Sequence, residues 1–326
     1  MKIGVIAVTE GGHKLAATLV EQLSTATLLS RDKDEKIAEC IARNWQQLDG
    51  LVCIMATGIV VRSIAPLIVD KQVDPCVIVC DQLGAHVISL LSGHLGGGNA
   101  LATEIADITG GQAVITTASD TLGLIALDLW AKEKDLTPPA KDVLTRITTQ
   151  LVNKGSLLVF SDVAVTSLPK GLKRTDNLAE AEIIVSHKRY SPPGPVPFYP
   201  KNLVVGVGCN RGTGLNEFEE ALAELFSDLQ LSHASIRNLA SIDKKNDEVG
   251  LLQFAEKNCW TIDFFDNTTI NSQNNLEISF AALKAVGAIG VAEPTSLLSA
   301  NSNLLISRKR KWKNVTMAIA QVPFTL

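Results

Sequence analysis

Asp81-Gln-Leu-Gly-Ala-His-Val-Ile-Ser-Leu-Leu-Ser-Gly-His-Leu-Gly-Gly-Gly-Asn99 is the stretch on which the fold turns. Its middle, His86 to Leu91, is an apolar run of strand length, and both flanks are rich in Gly, Asn and Asp. Those residues mark sharp turns, because Gly adopts positive φ without penalty and Asn and Asp tolerate it. The pattern predicts a strand Val87–Leu91 entered through the turn Asp81–Gly84. It leaves through a glycine loop that opens a helix near Asn99.

The same alternation continues on either side. Upstream, Ile3–Val8, Gly50–Met55 and Val77–Val79 read as strands, and the segments 14–23 and 34–48 carry helical spacing. Thr9–His13 reads as a loop, and Ala56–Arg62 as a turn into a helix that Pro66 ends. Downstream come a helix to about Ile108, a stop at Gly110-Gly111 and a strand Ala113–Ile115. Residues 1–120 therefore predict an N-terminal α/β domain on a doubly wound, mostly parallel sheet. Residues 121–190 predict a small α/β middle domain, with helices 121–130 and 141–152 and strands 156–160 and 183–186. Tyr190–Pro200 holds five prolines, so 191–201 reads as a stiffened linker. A C-terminal α/β domain fills 202–326. It opens with strand Leu203–Val207, the loop Gly208–Gly214 and helix Leu215–Asp228, and closes on strands 303–307 and 315–321.

The totals narrow the class. A chain of 326 residues exceeds a single small core, and 46% hydrophobic with 20% charged residues fits a packed protein rather than a disordered one. The net charge of −4 makes no general case for nucleic acid. Six cysteines without CxxC spacing, several inside apolar runs, read as buried thiols of a reducing cytosol, not as disulfides or a zinc site. No apolar run approaches about twenty residues, so no membrane span is expected. The expected location is the cytoplasm.

Ser92-Gly-His-Leu-Gly-Gly-Gly-Asn99 ahead of a helix would aim backbone N–H groups and a positive dipole end at a carboxylate or phosphate. The structural alternative is a tight connection with Asn99 as N-cap. Gly206–Gly214 fails the dinucleotide pattern, because Arg211 stands where the third glycine belongs. Arg211 instead offers a carboxylate fork beside a helix start, with Gly208, Gly212 and Thr213 around it. His86 and His94 are candidates for a general base and its partner, since imidazole titrates near neutral pH. A histidine in an apolar strand, such as His86, equally serves as packing. Arg62, after Thr57-Gly58, falls at the expected carboxyl edge of the sheet, where open α/β sheets bind ligands. Glu293 before Pro294 is a carboxylate at a similar edge, or a helix N-terminal charge. Arg308–Lys313 puts five positive charges into six residues and reads as a solvated hairpin turn that blunts a sheet edge.

Several further strings belong together: Asp49-Gly50, Ala56-Thr-Gly-Ile-Val-Val-Arg62, Ala65-Pro66, Asp70-Lys71, Asp74-Pro75 and Ile115-Thr-Thr-Ala-Ser-Asp120. With Gly206–Thr213, Ser241-Ile-Asp243, Lys245, Asp247-Glu248, Gly290-Val-Ala-Glu-Pro294 and Asn314-Val-Thr316, they resemble the cobalt-precorrin-5A hydrolase family of anaerobic cobalamin biosynthesis. The resemblance runs along essentially the whole chain and is least specific over about 125–190. Ser119 stands where that family's pattern has Thr, and Thr295-Ser296 follows Glu293-Pro294 in place of Ala. The third domain also resembles a stand-alone protein of the aerobic cobalamin route.

The resemblance implies a cobalt-corrinoid substrate carrying a δ-lactone, which water opens before a two-carbon fragment leaves as acetaldehyde. The cobalt belongs to the substrate, so no cofactor and no protein-bound metal are expected. Transient contact with neighbouring enzymes of the pathway is expected. Lactone chemistry then assigns His94, or else His86, as the base that activates water, with Asp81 in the same catalytic set. Glu293 would handle the proton of the later C–C cleavage, and N–H groups of residues 96–98 would hold the oxyanion. Carboxylate-bearing substrate would meet Thr57, Gly58, Arg62, Ser92, Gly93, Gly96, Gly97, Gly98, Asn99, Gly208, Arg211, Gly212, Thr213 and Lys245. A corrinoid carrier without chemistry and a nucleotide-dependent α/β enzyme are the alternatives.

Overall fold

The computed structural model describes residues 1–70, 73–94, 96–190, 194–273 and 278–326, and of Ala281 only the backbone. Lys71, Leu95 and Ser191-Pro-Pro193, which enter the readings above, lie outside the described residues. The chain divides into two units, Met1–Leu129 and Trp130–Leu326.

The first unit runs β1 (Ile3–Ala7), α1 (Glu10–Gln22), β2 (Ala26–Leu28), α2 (Ile37–Asn44), β3 (Gly50–Ile54) and α3 (Thr57–Ile64). It continues through β4 (Cys76–Cys80), β5 (His86–Leu91), α4 (Gly98–Thr109), β6 (Gln112–Val114) and α5 (Ala118–Thr121). The six strands form one sheet in the order β2-β1-β3-β4-β5-β6. It is the doubly wound, mostly parallel sheet that the alternation predicts. Alternate residues of each central strand face opposite cores. Val5, Val52 and Ile78 pack with α1 and α4, whereas Ile6, Leu51 and Val77 pack with Ile41, Trp45 and Val60 of the other layer. A strand covered on both faces must be apolar at every position, which is why β1, β3 and β4 show no polar alternation. Two local expectations change. Thr9–His13 is not a loop: the Thr9 hydroxyl accepts from Gly12 N–H at 3.1 Å and caps α1, which starts at Glu10. The helix expected over 121–130 is broken at Gly123, where φ is +62°, into α5 and α6 (Leu127–Glu133).

β5 runs against β4, with Val79 opposite Ile88 and Cys80 opposite Val87, and β6 lies parallel to β5. This reversal separates the two halves of the stretch 81–99. The turn at Asp81 lies at the carboxyl edge of β1, β3 and β4. The loop from Ser92 lies at the opposite edge, beyond the carboxyl ends of β5 and β6. The five rises along β5 put its ends about 17 Å apart at ~3.4 Å per residue.

The second unit holds two sheets. The smaller combines β7 (Leu136–Thr137), β8 (Leu157–Ser161), β9 (Leu172–Arg174), β10 (Ile183–Val185) and β11 (Val196–Pro200), with α7 (Lys141–Lys154) between β7 and β8. Its order is β7-β11-β10-β8-β9, so the proline stretch read as a linker in fact supplies an interior strand. The register explains how. Val196 N–H bonds to Glu182 O and Phe198 O accepts from Ser186 N–H, both toward β10. Pro197, which has no N–H, faces the other side, where β7 pairs only with Tyr199 and Pro200.

The larger sheet comprises β12 (Leu203–Cys209), β13 (Ile236–Ile242), β14 (Ile262–Phe265), β15 (Leu305–Lys311) and β16 (Val315–Gln321), in the order β14-β13-β12-β16-β15. Helices α8 (Leu215–Asp228) and α9 (Val249–Lys257) cover one face through Phe218, Leu225 and Phe254. After α10 (Asn267–Asn271) and α11 (Phe280–Val286), α12 (Ala292–Ala300) covers the other face. It lies so close to β12 that a Cβ on Gly206 would sit 1.8 Å from Ala292 O. The basic run is not a turn. β15 extends through Lys311, so most of the run is an edge strand and only Trp312–Asn314 turns.

Candidate functional site

Three places gather the residues singled out above, two in the first unit and one in the second. At the carboxyl edge of β1, β3 and β4, a cavity of about 440 Å³ is lined by Ile54, Met55, Thr57, Cys80, Asp81 and His86 among others. Asp81 Oδ1 accepts Leu83 N–H at 2.8 Å and Oδ2 accepts His86 N–H at 2.7 Å, so the carboxylate shapes the turn. Partial burial would raise its pKa, but these backbone donors outweigh burial and hold it below the usual carboxylate range. His86 Nδ1 stands 3.6 Å from Asp81 Oδ2, and the imidazole is 65% exposed. Arg62 Nη1 donates to Gly58 O at 2.8 Å, folding the exposed guanidinium back over the first turn of α3.

At the opposite edge the loop after β5 and the residues after β6 meet. His94 Nε2 lies 2.9 Å from Asp120 Oδ2, and Ser119 Oγ is 3.3 Å from the same nitrogen. Asn99 Nδ2 donates to Asp120 Oδ2 at 2.9 Å and to Thr117 Oγ1 at 3.2 Å. Asn99 is therefore not the N-cap. That position is Gly97, in the left-handed conformation at φ +80°, and Asn99 lies inside the first turn with its amide aimed across to Asp120. Gly93 permits this, since a Cβ there would lie 2.5 Å from Asn99 Oδ1. His94 Nδ1 has no hydrogen-bond partner among the described residues.

The anion cradle expected of this loop is mostly filled by the loop itself. Gly97 N–H bonds to His94 O (2.8 Å), Gly98 N–H to Ser92 O (3.2 Å) and Asn99 N–H to Gly93 O (2.8 Å). Tight winding of a short loop onto its own carbonyls consumes these donors. Only the Gly96 N–H of the 96–98 set has no backbone partner among the described residues. Ser92, at φ +54°, takes the left-handed backbone that lets the chain reverse here, and its Oγ lies 3.4 Å from Asp74 O.

In the second unit the loop Gly208–Gly214 already holds an anion of its own chain. Gly212 N–H donates to Glu248 Oε1 at 2.8 Å, and Glu248 is buried. Arg211 bonds to the Asp247 carboxylate and donates to Lys244 O at 2.7 Å, with Glu248 Oε2 at 3.7 Å. Its guanidinium holds the Asp247 carboxyl below the usual range. Arg211 thus braces the loop against residues 244–248 rather than presenting an open fork. Thr213 Oγ1 donates to Asn210 O at 2.8 Å. Lys245 is buried with its Nζ 3.4 Å from Glu248 Oε2, and Glu293 Oε1, at the start of α12, accepts Lys309 N–H at 2.8 Å. Gly208, Lys245 and Glu293 line one cavity.

Asp120 is the residue that sequence reasoning missed as a site component. Its signal was its place just beyond β6, the strand next to the one that delivers His94. Among the described residues no three His, Cys, Asp or Glu side chains come together as a metal site, and no helix is long and apolar enough to cross a membrane.

Comparison with known proteins adds an independent line. The family models "Cobalamin synthesis G N-terminal" and "Cobalamin synthesis G C-terminus" match residues 39–120 and 203–320. A protein of Priestia megaterium named cobalt-precorrin-5A hydrolase is 31% identical over 98% of this chain and 95% of its own length. One of the same name from Salmonella typhimurium is 32% identical over 93% of each. Protein CobE of Sinorhizobium sp is 30% identical over 36% of this chain and 79% of its own length.

Proposed function

The chain belongs to the cobalt-precorrin-5A hydrolase family, and from the loop geometry beyond β5 and β6 we propose that it opens the ring-attached δ-lactone of cobalt-precorrin-5A by general-base hydrolysis at His94. The 2.9 Å contact between His94 Nε2 and Asp120 Oδ2 carries the assignment of the base. A carboxylate at Nε2 fixes the proton there, as in other His–Asp pairs, and leaves the lone pair on Nδ1. Asn99 holds the carboxylate in place through the same oxygen. The exposed His86, whose Asp81 is engaged with the backbone, has no such support and serves as the weaker candidate.

Water then gives a proton to Nδ1 as its oxygen bonds to the lactone carbonyl carbon. The oxyanion faces the Gly96 N–H and the positive end of the twelve-residue helix α4. Collapse breaks the acyl–oxygen bond, and the departing alkoxide takes the proton back from the imidazolium, leaving an alcohol and a carboxylic acid that ionises to solvent. The alcohol then gives its proton to His94 Nδ1 as its C=O bond forms and the C–C bond to the ring breaks, and the electron pair of that bond passes to the ring. The two-carbon fragment leaves as acetaldehyde, giving cobalt-precorrin-5B. The overall reaction is hydrolysis with carbon–carbon cleavage, the cobalt remains with the substrate, and the protein supplies no cofactor.

Incubation with cobalt-precorrin-5A, with trapping of acetaldehyde and mass measurement of the corrinoid, tests this. His94→Ala is expected to lose about 10²-fold or more in rate, the usual contribution of a general base, and His86→Ala to stay within about threefold. Near-normal acetaldehyde release by His94→Ala would remove the base assignment, and no release by the unmodified chain would favour a carrier.

A further inference from the structure

The basic run Arg308–Lys313 has a division of labour that follows from strand geometry. Successive side chains of an extended strand point to opposite faces. On one face Arg310 Nη1 pairs with Asp228 Oδ2 at 2.8 Å and Trp312 Nε1 donates to Glu224 Oε2 at 3.0 Å, tying the hairpin to α8. Lys309 and Lys311 from the strand and Lys313 from the turn line a cavity of about 380 Å³ together with Lys245 and Glu293. Lys311 and Lys313 are exposed, and neither side chain has an ion-pair partner among the described residues.

Ile242, Val286, Ile289 and Val291 form an apolar wall from the sheet and from the segment before α12, and Asn210, Ser279, Asn314 and Thr316 add polar side chains to the lining. Its position is the carboxyl edge of the parallel strands β12 and β13, the usual ligand edge of an open α/β sheet. Lys245 is the deepest cation, with its side chain 7% exposed. It has three donors, and its one carboxylate contact is to Glu248, which also serves Gly212 N–H. Glu293 adds one negative charge, with Oε1 engaged by Lys309 N–H, and Lys245 faces Glu248, so Lys311 and Lys313 are the cations of the lining on which recognition of an anion rests. Lys311 and Lys313 thus stand exposed beside a cavity with one apolar wall, rather than against the acidic side chains of α8.

We propose that this cavity is a second corrinoid-recognition site, in which Lys311 and Lys313 bind peripheral carboxylates while the apolar wall packs on the ring edge. The ligand class is a polycarboxylate with an apolar body. That class rests on the lactone-hydrolase reading, but the site requires no turnover. Dicyanocobyrinic acid, a corrinoid with free ring acids and no lactone, is the probe, and dicyanocobinamide, with those acids amidated, is the control. The full chain is titrated with each at low and moderate salt.

Lys311→Gln/Lys313→Gln is expected to weaken dicyanocobyrinic acid binding about tenfold at low salt, the effect of two partly screened charge pairs. Dicyanocobinamide binding should be unchanged. Lys311→Glu/Lys313→Glu should weaken the acid further, whereas Arg310→Gln, on the opposite face, should not. His94→Ala should bind the acid as the unmodified chain does, so failure of the hydrolase reading leaves this result standing. Equal affinity of the lysine variants and the unmodified chain for the acid, with melting temperatures preserved, would overturn the site. So would an equal loss for acid and amide, or no binding of the acid at all.

Discussion

Asp120→Asn is the most direct probe of the His94 site. The substitution keeps the size of the side chain and an oxygen able to accept from His94 Nε2–H and Asn99 Nδ2–H, and it removes the charge. Across the 2.9 Å between Nε2 and Oδ2, the attraction for an imidazolium is about 1.4 kcal/mol at a dielectric of about 80 and about 6 kcal/mol at about 20. His94 is 21% and Asp120 39% exposed, which places the pair toward the screened end, at roughly 2.5 kcal/mol. The charge acts only when the imidazole has taken the proton from water, so this falls on the rate and not on binding. Single-turnover acetaldehyde release should slow about 70-fold with substrate affinity unchanged. Asn99→Ala removes the brace on the carboxylate along with the bond to Thr117, and should slow it about fivefold, the cost of the one hydrogen bond that touches Asp120. If Asp120→Asn kept more than a third of the rate while His94→Ala abolished it, the carboxylate would have no part in activating the base.

Other features of the fold can be checked without substrate. Gly206→Ala places a Cβ 1.8 Å from Ala292 O, where only a shift of α12 off β12 relieves the clash. It should cost more than about 3 kcal/mol in urea unfolding, and a loss under about 1 kcal/mol would mean that α12 is not seated as described. Burial holds the pKa of His187 and of His233 below the ordinary imidazole value; Lys188 adds to this at His187 against the pull of Asp162, and Arg189 adds to it at His233. With folded values below the unfolded value of about 6.5, the unfolded chain takes up protons first as pH falls. Stability is thus intact above about pH 6.5 and declines below it, and His187→Gln/His233→Gln should flatten the urea midpoint between about pH 6.5 and 5. Cys259 is exposed, while Cys53, Cys76 and Cys80 are buried in the first sheet, where burial pushes Cys76 to about 11 and Cys80 to about 12. A thiol-specific disulfide reagent should therefore titrate Cys259 rapidly in the native protein and the three sheet cysteines only after unfolding. Cys209 is half-buried, so fast reaction of the Cys209→Ser/Cys259→Ser variant is what would contradict the burial.

Elements were legible in the sequence wherever one periodicity governed them. β1, β3 and β4 are apolar throughout because both faces are covered, and α8 shows its buried stripe through Phe218, Leu222 and Leu225. What the sequence concealed is direction and partnership. Nothing in Asp81–Asn99 says that β5 is antiparallel to β4, yet that pairing sends Asp81 and His86 to one edge of the sheet and His94 to the other. Proximity along the chain suggested one cluster where the fold sends its residues to two edges. The glycine loops misled for a related reason: each supplies N–H groups, but whether a ligand can use them depends on competing acceptors nearby. In one loop these are the carbonyls of Ser92, Gly93 and His94, and in the other the carboxylate of Glu248, 36 residues on. The same principle works in favour of His94, whose partner Asp120 is 26 residues away and arrives only because β6 pairs beside β5. A titratable side chain becomes a candidate base through a neighbour that orients it, and strand order, more than local composition, decides which neighbour it gets.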